Sequence, residues 1–285
     1  MVSGYINTDS EYKNYFYAEN DICDDRGILL LRKGQLITDD IREKLSKHGI
    51  KNVKASDRGQ QSISQIHSKV IDSVTRNLEE RLKVQDKGLF EKANLILKSV
   101  IFENKSKPWW VCINALANYL GWLYTHSIDV GLISLVIAAR LGYSDQELFN
   151  IGLSALLHDV GKLLVPKAIL QKPGSLSEIE QNIVRQHCDL GASSLQGFNL
   201  PKEYIDVVMQ HHERLDGSGY PRGLKGNDIC LNVRIVIVAD VVDKMTSYCP
   251  HEKLQDMECA MRRIKSQNEK YPQDLVLMLE ELLLA

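Results

Sequence analysis

Three patterns of apolar and polar positions succeed one another along the chain. Up to about residue 56 the apolar groups are short. Tyr15-Phe16-Tyr17 comes first, then residues 28–31 after the turn Asp24-Asp25-Arg26-Gly27, then residues 50–53. Runs of this length bounded by turn residues predict strands. Thr38 caps a predicted helix in which Ile37, Ile41 and Leu45 recur at spacings of four, and Gly49 ends it. His48, at its C-terminal end, is placed to meet the helix dipole rather than a metal. From 57 to about 105 the spacing changes to three and four, through Ile63, Ile66, Val70, Val74 and Leu78 and again over 89–101. That pattern predicts amphipathic helices, with His67 on the polar face. The remainder reads as almost wholly helical. Residues 109–139 hold two helices or one long one. Ser144-Asp145-Gln146-Glu147 and Ser177-Glu178-Ile179-Glu180 are capping boxes that open two more, the second running through His187 to about Gly197. Helices over 202–213, 233–245, 252–268 and 273–284 complete the pattern, and a Gly-rich loop over 216–221 interrupts it. The expected fold is α+β: a small α/β module at 1–56, a helical connector at 57–105, and an all-α domain at 106–285.

Composition changes this picture little. The chain has 285 residues, a net charge of −2 and 25% charged residues, an ordinary balance for a soluble globular protein. No basic stripe with interleaved aromatics is present, so no nucleic-acid polymer is expected as a partner. No apolar run looks long enough to cross a bilayer and no signal peptide is visible, so a cytosolic setting without a membrane is expected. Six scattered cysteines without a Cys-x-x-Cys are expected to be reduced thiols. The connector helices are candidates for a homodimer seam.

The chemistry gathers in the helical half. Five of the eight histidines, His126, His158, His187, His211 and His212, fall in or beside its helices. Asp159 and Asp240 are acids embedded in apolar runs, where a carboxylate needs a partner or a metal. Asp159 follows His158 directly, and its two oxygens can span two ions. Imidazoles with carboxylates suit iron, manganese or zinc better than magnesium.

These residues stand in motifs that strongly resemble the HD-GYP family of bacterial cyclic-dinucleotide phosphodiesterases, a branch of the HD phosphohydrolases, over about residues 110–250. The matching stretches begin with Tyr124-Thr125-His126-Ser127, His158-Asp159-Val160-Gly161-Lys162, Lys172-Pro173-Gly174 and His187-Cys188-Asp189-Leu190-Gly191. His211-His212-Glu213 then runs on to Asp216-Gly217-Ser218-Gly219-Tyr220-Pro221, and the last stretch ends in Asp240-Val241-Val242-Asp243. The N-terminal residues 27–53 also look like a small module that often precedes such domains. The resemblance implies an HD-type helical domain that hydrolyses cyclic di-GMP to pGpG, with pGpG or GMP left open as the end product, using two divalent metals, iron or manganese. It implies that His126, His158, Asp159 and Asp240 hold one metal, and that Asp159 bridges to a second held by His187, His211 and His212. Lys162 would stabilise charge at the scissile phosphate, and Tyr220, with Arg222 and Lys225, would border the substrate. The Gly-Tyr-Pro loop and the N-terminal module are expected docking places for signalling proteins.

Three positions depart from the pattern. Trp122 stands where some members carry a Glu for a third metal, so two metals are expected. Cys249 replaces an Arg of the usual Arg-Pro-Tyr, and the usual Asp-Ala-Leu-Thr reads Asp243-Lys244-Met245-Thr246. The altered segment leaves open another cyclic dinucleotide such as cyclic GMP-AMP. A non-catalytic dinucleotide receptor or signalling scaffold also stands as an alternative. His251 is expected at the surface rather than on a metal.

Overall fold

The computed structural model describes residues 3–7, 16–18, 20–23, 25, 29–31, 36–37, 45–47, 49–56, 58–247 and 254–284. Cys249 and His251, and most of the helix expected after Thr38 together with His48, lie outside the described residues. Contacts divide the chain into two units, Met1–Lys69 and Val70–Ala285.

The first unit is built on strands. β1 (Ser3–Asn7), β2 (Phe16–Ala18), β5 (Leu36–Ile37) and β6 (Asn52–Ser56) form an antiparallel sheet in the order β1-β6-β2-β5. β3 (Ile22–Cys23) pairs with β4 (Leu29–Leu31) separately. Ala18, Leu31, Ile37, Leu45 and Val53 make a core of its own. The expected strands at 15–17, 28–31 and 50–53 correspond to β2, β4 and β6. β6 extends to Ser56 because β1 pairs with it along its whole length, Ser3 opposite Ser56 and Asn7 opposite Asn52.

The second unit is helical. α1 (Arg58–Leu82) contributes Ile71, Val74, Leu78 and Leu82 to its core. His67 is buried rather than on a polar face: it stands four residues before Ile71, on the same apolar stripe. α2 (Lys87–Phe102) starts on the side chain of Asp86, which accepts the Leu89 N–H. Residues 109–139 are two helices, α3 (Trp110–Tyr119) and α4 (Gly121–Arg140), parted where Leu120 is extended. α4 is buried on every side from Ser127 to Ala138. It is long and apolar enough to cross a membrane by length and composition, contrary to the expectation, but 83% of its apolar window is buried within the protein. A helix that is apolar all round belongs in a core as readily as in a bilayer.

Around α4 pack α5 (Asp145–Leu157) and α10 (Leu231–Thr246). Both halves of the Ser144–Glu147 capping box form, so α5 begins where the sequence indicated. A tight turn, Val160–Leu164, and α6 (Lys167–Leu170) lead to α7 (Glu178–Arg185), opened by the Ser177–Glu180 box. The helix expected to run through His187 is broken at Gln186, and α8 (His187–Leu195) starts afresh. The break comes where the His187 ring takes the Val184 carbonyl, an acceptor that a continuous helix would use itself. α9 (Lys202–Gln210), α11 (Met257–Ser266) and α12 (Gln273–Leu284) complete the unit.

One close approach positions everything below. The turn after α5 lies directly against α8, and a Cβ on Gly161 would stand 1.9 Å from the His187 carbonyl oxygen and 2.6 Å from the Gly191 nitrogen. Gly191 is equally confined, 2.9 Å from a Val208 methyl on α9. Two facing glycines let the backbones that carry Asp159 and His187 come together. Gly161→Ala is expected to cost about 1–3 kcal/mol of stability in urea titration, and to weaken metal uptake measured on the folded fraction.

Candidate metal centre

Seven side chains from five helices and helix ends converge. His126 stands early in α4, His158 and Asp159 follow α5, His187 opens α8, His211 and His212 follow α9, and Asp240 lies within α10. All seven are buried. Asp159 is central. Its Oδ2 is 3.4 Å from His126 Nε2 and 3.3 Å from His158 Nε2, and its Oδ1 is 3.2 Å from His187 Nε2 and 3.6 Å from His211 Nε2. Each carboxylate oxygen therefore faces its own pair of histidines. Asp240 Oδ1 lies 3.1 Å from His126 Nε2 and 3.5 Å from His158 Nε2, and its Oδ2 is 3.9 Å from His212 Nδ1. Ligand atoms of Asp159, His187, His211 and His212 all fall within 4.8 Å of one another, as do those of His126, His158 and Asp159.

The second ring nitrogens decide what these atoms are. Nδ1 of His126 meets Asp243 Oδ2 at 2.6 Å, and Nδ1 of His158 meets the Ala155 carbonyl at 2.6 Å. Nδ1 of His187 and of His211 meet the Val184 and Val208 carbonyls at 2.5 and 3.0 Å. Carbonyl and ionised carboxyl oxygens only accept, so each Nδ1 carries the hydrogen, and in a neutral ring Nε2 is a bare lone pair. Yet His126 Nε2 faces His158 Nε2 at 3.2 Å, and His187 Nε2 faces His211 Nε2 at 3.2 Å. Two lone pairs cannot bond each other. An ion about 2.1 Å from both members of such a pair would see them at about 100°, within the range of tetrahedral and octahedral coordination. Asp159 Oδ1 and Asp240 Oδ1 are, in addition, buried oxygens that accept no hydrogen bond among the described residues. The donor set thus fits two divalent transition metals.

A family model for the HD domain matches residues 110–275, which include all seven side chains. The chain belongs to the HD-domain family. It is 40% identical over 136 residues to the cyclic di-GMP phosphodiesterase response regulator RpfG of Xanthomonas campestris, covering 46% of this chain and 35% of that one. It is 38% identical over 136 residues to the 3'3'-cGAMP-specific phosphodiesterase 3 of Vibrio cholerae, covering 48% and 30%. The chain thus spans about a third of the length of these curated relatives. A solved structure, Bd1817, an HDG"Y"P protein from Bdellovibrio bacteriovorus, aligns over 100% of both chains with a TM-score of 0.55 at 19% identity, a likeness of fold. The resemblance to the HD-GYP branch is borne out by these relatives.

The HD domain holds its two histidine groups in opposite electrostatic states. Burial works against charge on His126, but Asp159, Asp240 and Asp243 outweigh it and hold its pKa well above the ordinary value. Burial is likewise overridden at His158, chiefly by Asp159, and its pKa is raised. In the other group burial prevails: His187 is lowered and His211 falls to about 3. His212 is pushed well down by burial and then by the Lys244 ammonium. Burial opposes ionisation of both acids, yet Lys162 beside Asp159 and Lys244 beside Asp240 keep them well below the usual carboxylate range. The ammonium groups lie 2.6 Å from Asp159 Oδ2 and 2.8 Å from Asp240 Oδ2 respectively.

The HD domain's Gly-Tyr-Pro loop borders this centre. The Tyr220 ring stacks on His212 with centroids 4.6 Å apart, and the Arg185 guanidinium lies 5.2 Å from the Tyr220 centroid. Burial, followed by the negative charge of nearby site groups, raises the Tyr220 phenol. The loop is held by Glu213, fully buried, whose two oxygens accept the Arg222 and Leu224 N–H groups at 2.7 and 3.0 Å. A Cβ on Gly219 would come within 2.4 Å of the Glu213 and Arg214 backbone, so the loop's close return needs glycine there. Arg222 and Lys225 are exposed.

Asp243, Lys244 and Glu213 take part in this geometry without having been assigned roles from the sequence. Each stood in a quoted motif, and burial of a charged group beside a ligand is the signal that sets them apart. Trp122, one helical turn before His126, lies with its ring 5.9 Å from the Lys162 ammonium.

Asp159, Asp240 and Asp243 favour the protonated form of His126 and His158, so metal competes with a proton there, whereas burial favours the neutral form of His187, His211 and His212. Loading of the His126 group is therefore expected to release more protons, and to tighten more steeply with rising pH, than loading of the other group. Calorimetric Mn(II) titration in buffers of different ionisation enthalpy, on His187→Ala and Asp240→Ala variants that each retain one group, checks this.

Proposed function

We propose that this HD domain is a metal-dependent phosphodiesterase that hydrolyses cyclic di-GMP to pGpG. The observation that carries the reading is Asp159 between two pairs of histidines whose Nε2 lone pairs face each other. His126, His158, Asp159 and Asp240 would hold one ion, and Asp159, His187, His211 and His212 the other. Such a pair, when bound, supplies an activated hydroxide at neutral pH and a clamp on the non-bridging phosphate oxygens.

The chain's own residues would do the rest. Asp159, with an oxygen toward each histidine pair, would serve both ions. The Nδ1 bonds to Asp243, Ala155, Val184 and Val208 hold the rings in the tautomer that ligation needs. Lys162 is fixed to Asp159 in the buried interior and would neutralise charge that builds on the phosphate oxygens during in-line displacement. Tyr220 stacked on His212 would form a wall of the cleft, with Arg222 and Lys225 drawing the phosphates toward its mouth. Free thiols at Cys23, Cys112, Cys188, Cys230 and Cys259 support a reducing, cytosolic setting.

Cyclic GMP-AMP is the second substrate to weigh, since relatives named for each dinucleotide share similar identity with this chain. Full-length protein reconstituted anaerobically with Mn(II) or Fe(II) is expected to linearise cyclic di-GMP, and the ratio of rates on the two dinucleotides ranks them. Asp159→Ala should abolish turnover. Lys162→Met should lower kcat about 10²–10³-fold with metal content retained. Wild-type protein that carries both metals and binds dinucleotide without turning it over would replace this reading with that of a receptor.

A further inference from the structure

His126 gives its Nδ1 to a side chain, where His158, His187 and His211 give theirs to backbone carbonyls, and that side chain is itself held from outside the matched domain. Asp243 gives Oδ2 to His126 at 2.6 Å and Oδ1 to the Arg81 guanidinium at 2.7 Å. The same Arg81 nitrogen reaches Asp129 Oδ2 at 3.0 Å, and its other terminal nitrogen bonds the Ser247 hydroxyl. Ser247 also donates to Asp243. Asp129 lies one helical turn beyond His126 on α4, and Asp243 lies on α10. One guanidinium therefore ties together the two helices that flank the His126 half of the centre. It comes from the last turn of α1, and position 81 precedes the segment 110–275 that the HD model covers.

We propose that Arg81 is a positioning residue for the metal centre, holding Asp243 so that Asp243 in turn aims His126 Nε2 at the metal. The physical reason is the fixity of the chain of bonds. Asp243 is fully buried and Asp129 nearly so. Burial and the neighbouring Asp243 push the Asp129 carboxyl up, and a planar guanidinium can satisfy an oxygen of each from one position. Without it the Asp243 oxygen that Arg81 holds loses its charged partner, Asp243 is freer to turn from its place, and the His126 ring loses the bond that sets its orientation. His158, His187 and His211 are each held by the backbone carbonyl three residues before them and are indifferent to Arg81. Its loss should therefore fall on one half of the centre. The inference rests on the two-metal reading above. It extends the working centre beyond the matched domain, to the helix that follows the N-terminal strands.

The test uses the full chain and Mn(II), with free metal read by electron paramagnetic resonance. Wild type should bind two equivalents. Arg81→Met should weaken one of them about 10–100-fold and leave the other unchanged, and Arg81→Lys should restore part of the loss. In the Asp240→Ala background, where only the His187 group remains, Arg81→Met should have no effect. In the His187→Ala background it should weaken the one equivalent left. Arg76→Met, an exposed change on the same helix, should leave both equivalents as in wild type. Arg81→Met protein that melts earlier but binds both equivalents with wild-type affinity would reduce Arg81 to a structural ion pair and overturn the inference. Equal weakening in the two single-group backgrounds would overturn it as well. Failure of wild type itself to bind Mn(II) would instead remove the two-metal reading, and this inference with it.

Discussion

Imidazole nitrogens facing one another 3.2 Å apart in a dry interior are the constraint around which the second unit is built. With Nδ1 given to an acceptor, each neutral ring turns a lone pair inward, and two facing lone pairs have nothing to offer one another but repulsion. A fold that accumulates such pairs around a shared carboxylate pays in stability for a cation it expects to bind. The arrangement follows from where the helices stop. Two of the seven side chains follow the end of α5, two follow the end of α9, and one opens α8, so most of the rings project from turns where backbone carbonyls can fix Nδ1.

Bringing those ends together is the task of the small residues. Gly161 and Gly191 allow the turn after α5 to touch α8, which places the two oxygens of Asp159 between histidine pairs from different parts of the chain. Glu213 and Gly219 do the corresponding work on the other side, folding the Gly-Tyr-Pro loop back so that Tyr220 lies on the His212 ring. A glycine in each of these places is a packing requirement of the centre, and the acid after the paired histidines is a staple for the loop rather than a further ligand.

The centre was legible in the sequence because its chemistry is strung along helices with strong caps and apolar faces. Ser144 and Ser177 announced the helices they open, and Asp159 and Asp240 stood out as acids in apolar runs. What stayed hidden depends on distance across the fold. Arg81 looks like any basic residue near the end of an amphipathic helix, and its two carboxylate partners lie 48 and 162 residues away. His67 was misread because a histidine among charged neighbours looks polar until its place on the stripe of Ile71 and Leu78 is seen. β1, β3 and β5 escaped notice because two to five residues carry no clear periodicity. The apolar length of α4 was underestimated because His126 and Asp129 interrupt it, although both turn inward toward partners.

Net charge was the least informative number, and the reason lies in the centre itself. The chain as a whole carries −2, which gives no reason to attract a doubly phosphorylated ligand. At the centre, however, each metal-facing acid is already matched by a lysine: Lys162 on Asp159 and Lys244 on Asp240. Two carboxylates and two ammoniums sum to zero, so two divalent ions held by neutral histidines would leave the centre with four positive charges in surroundings where screening by water is weak. The attraction for a cyclic dinucleotide would then be local and conditional on metal, strong at the cleft and nearly absent elsewhere on the surface. Lys244 matters in this balance because without it Asp240 would stand unmatched, and the loaded centre would be one charge less positive toward phosphate.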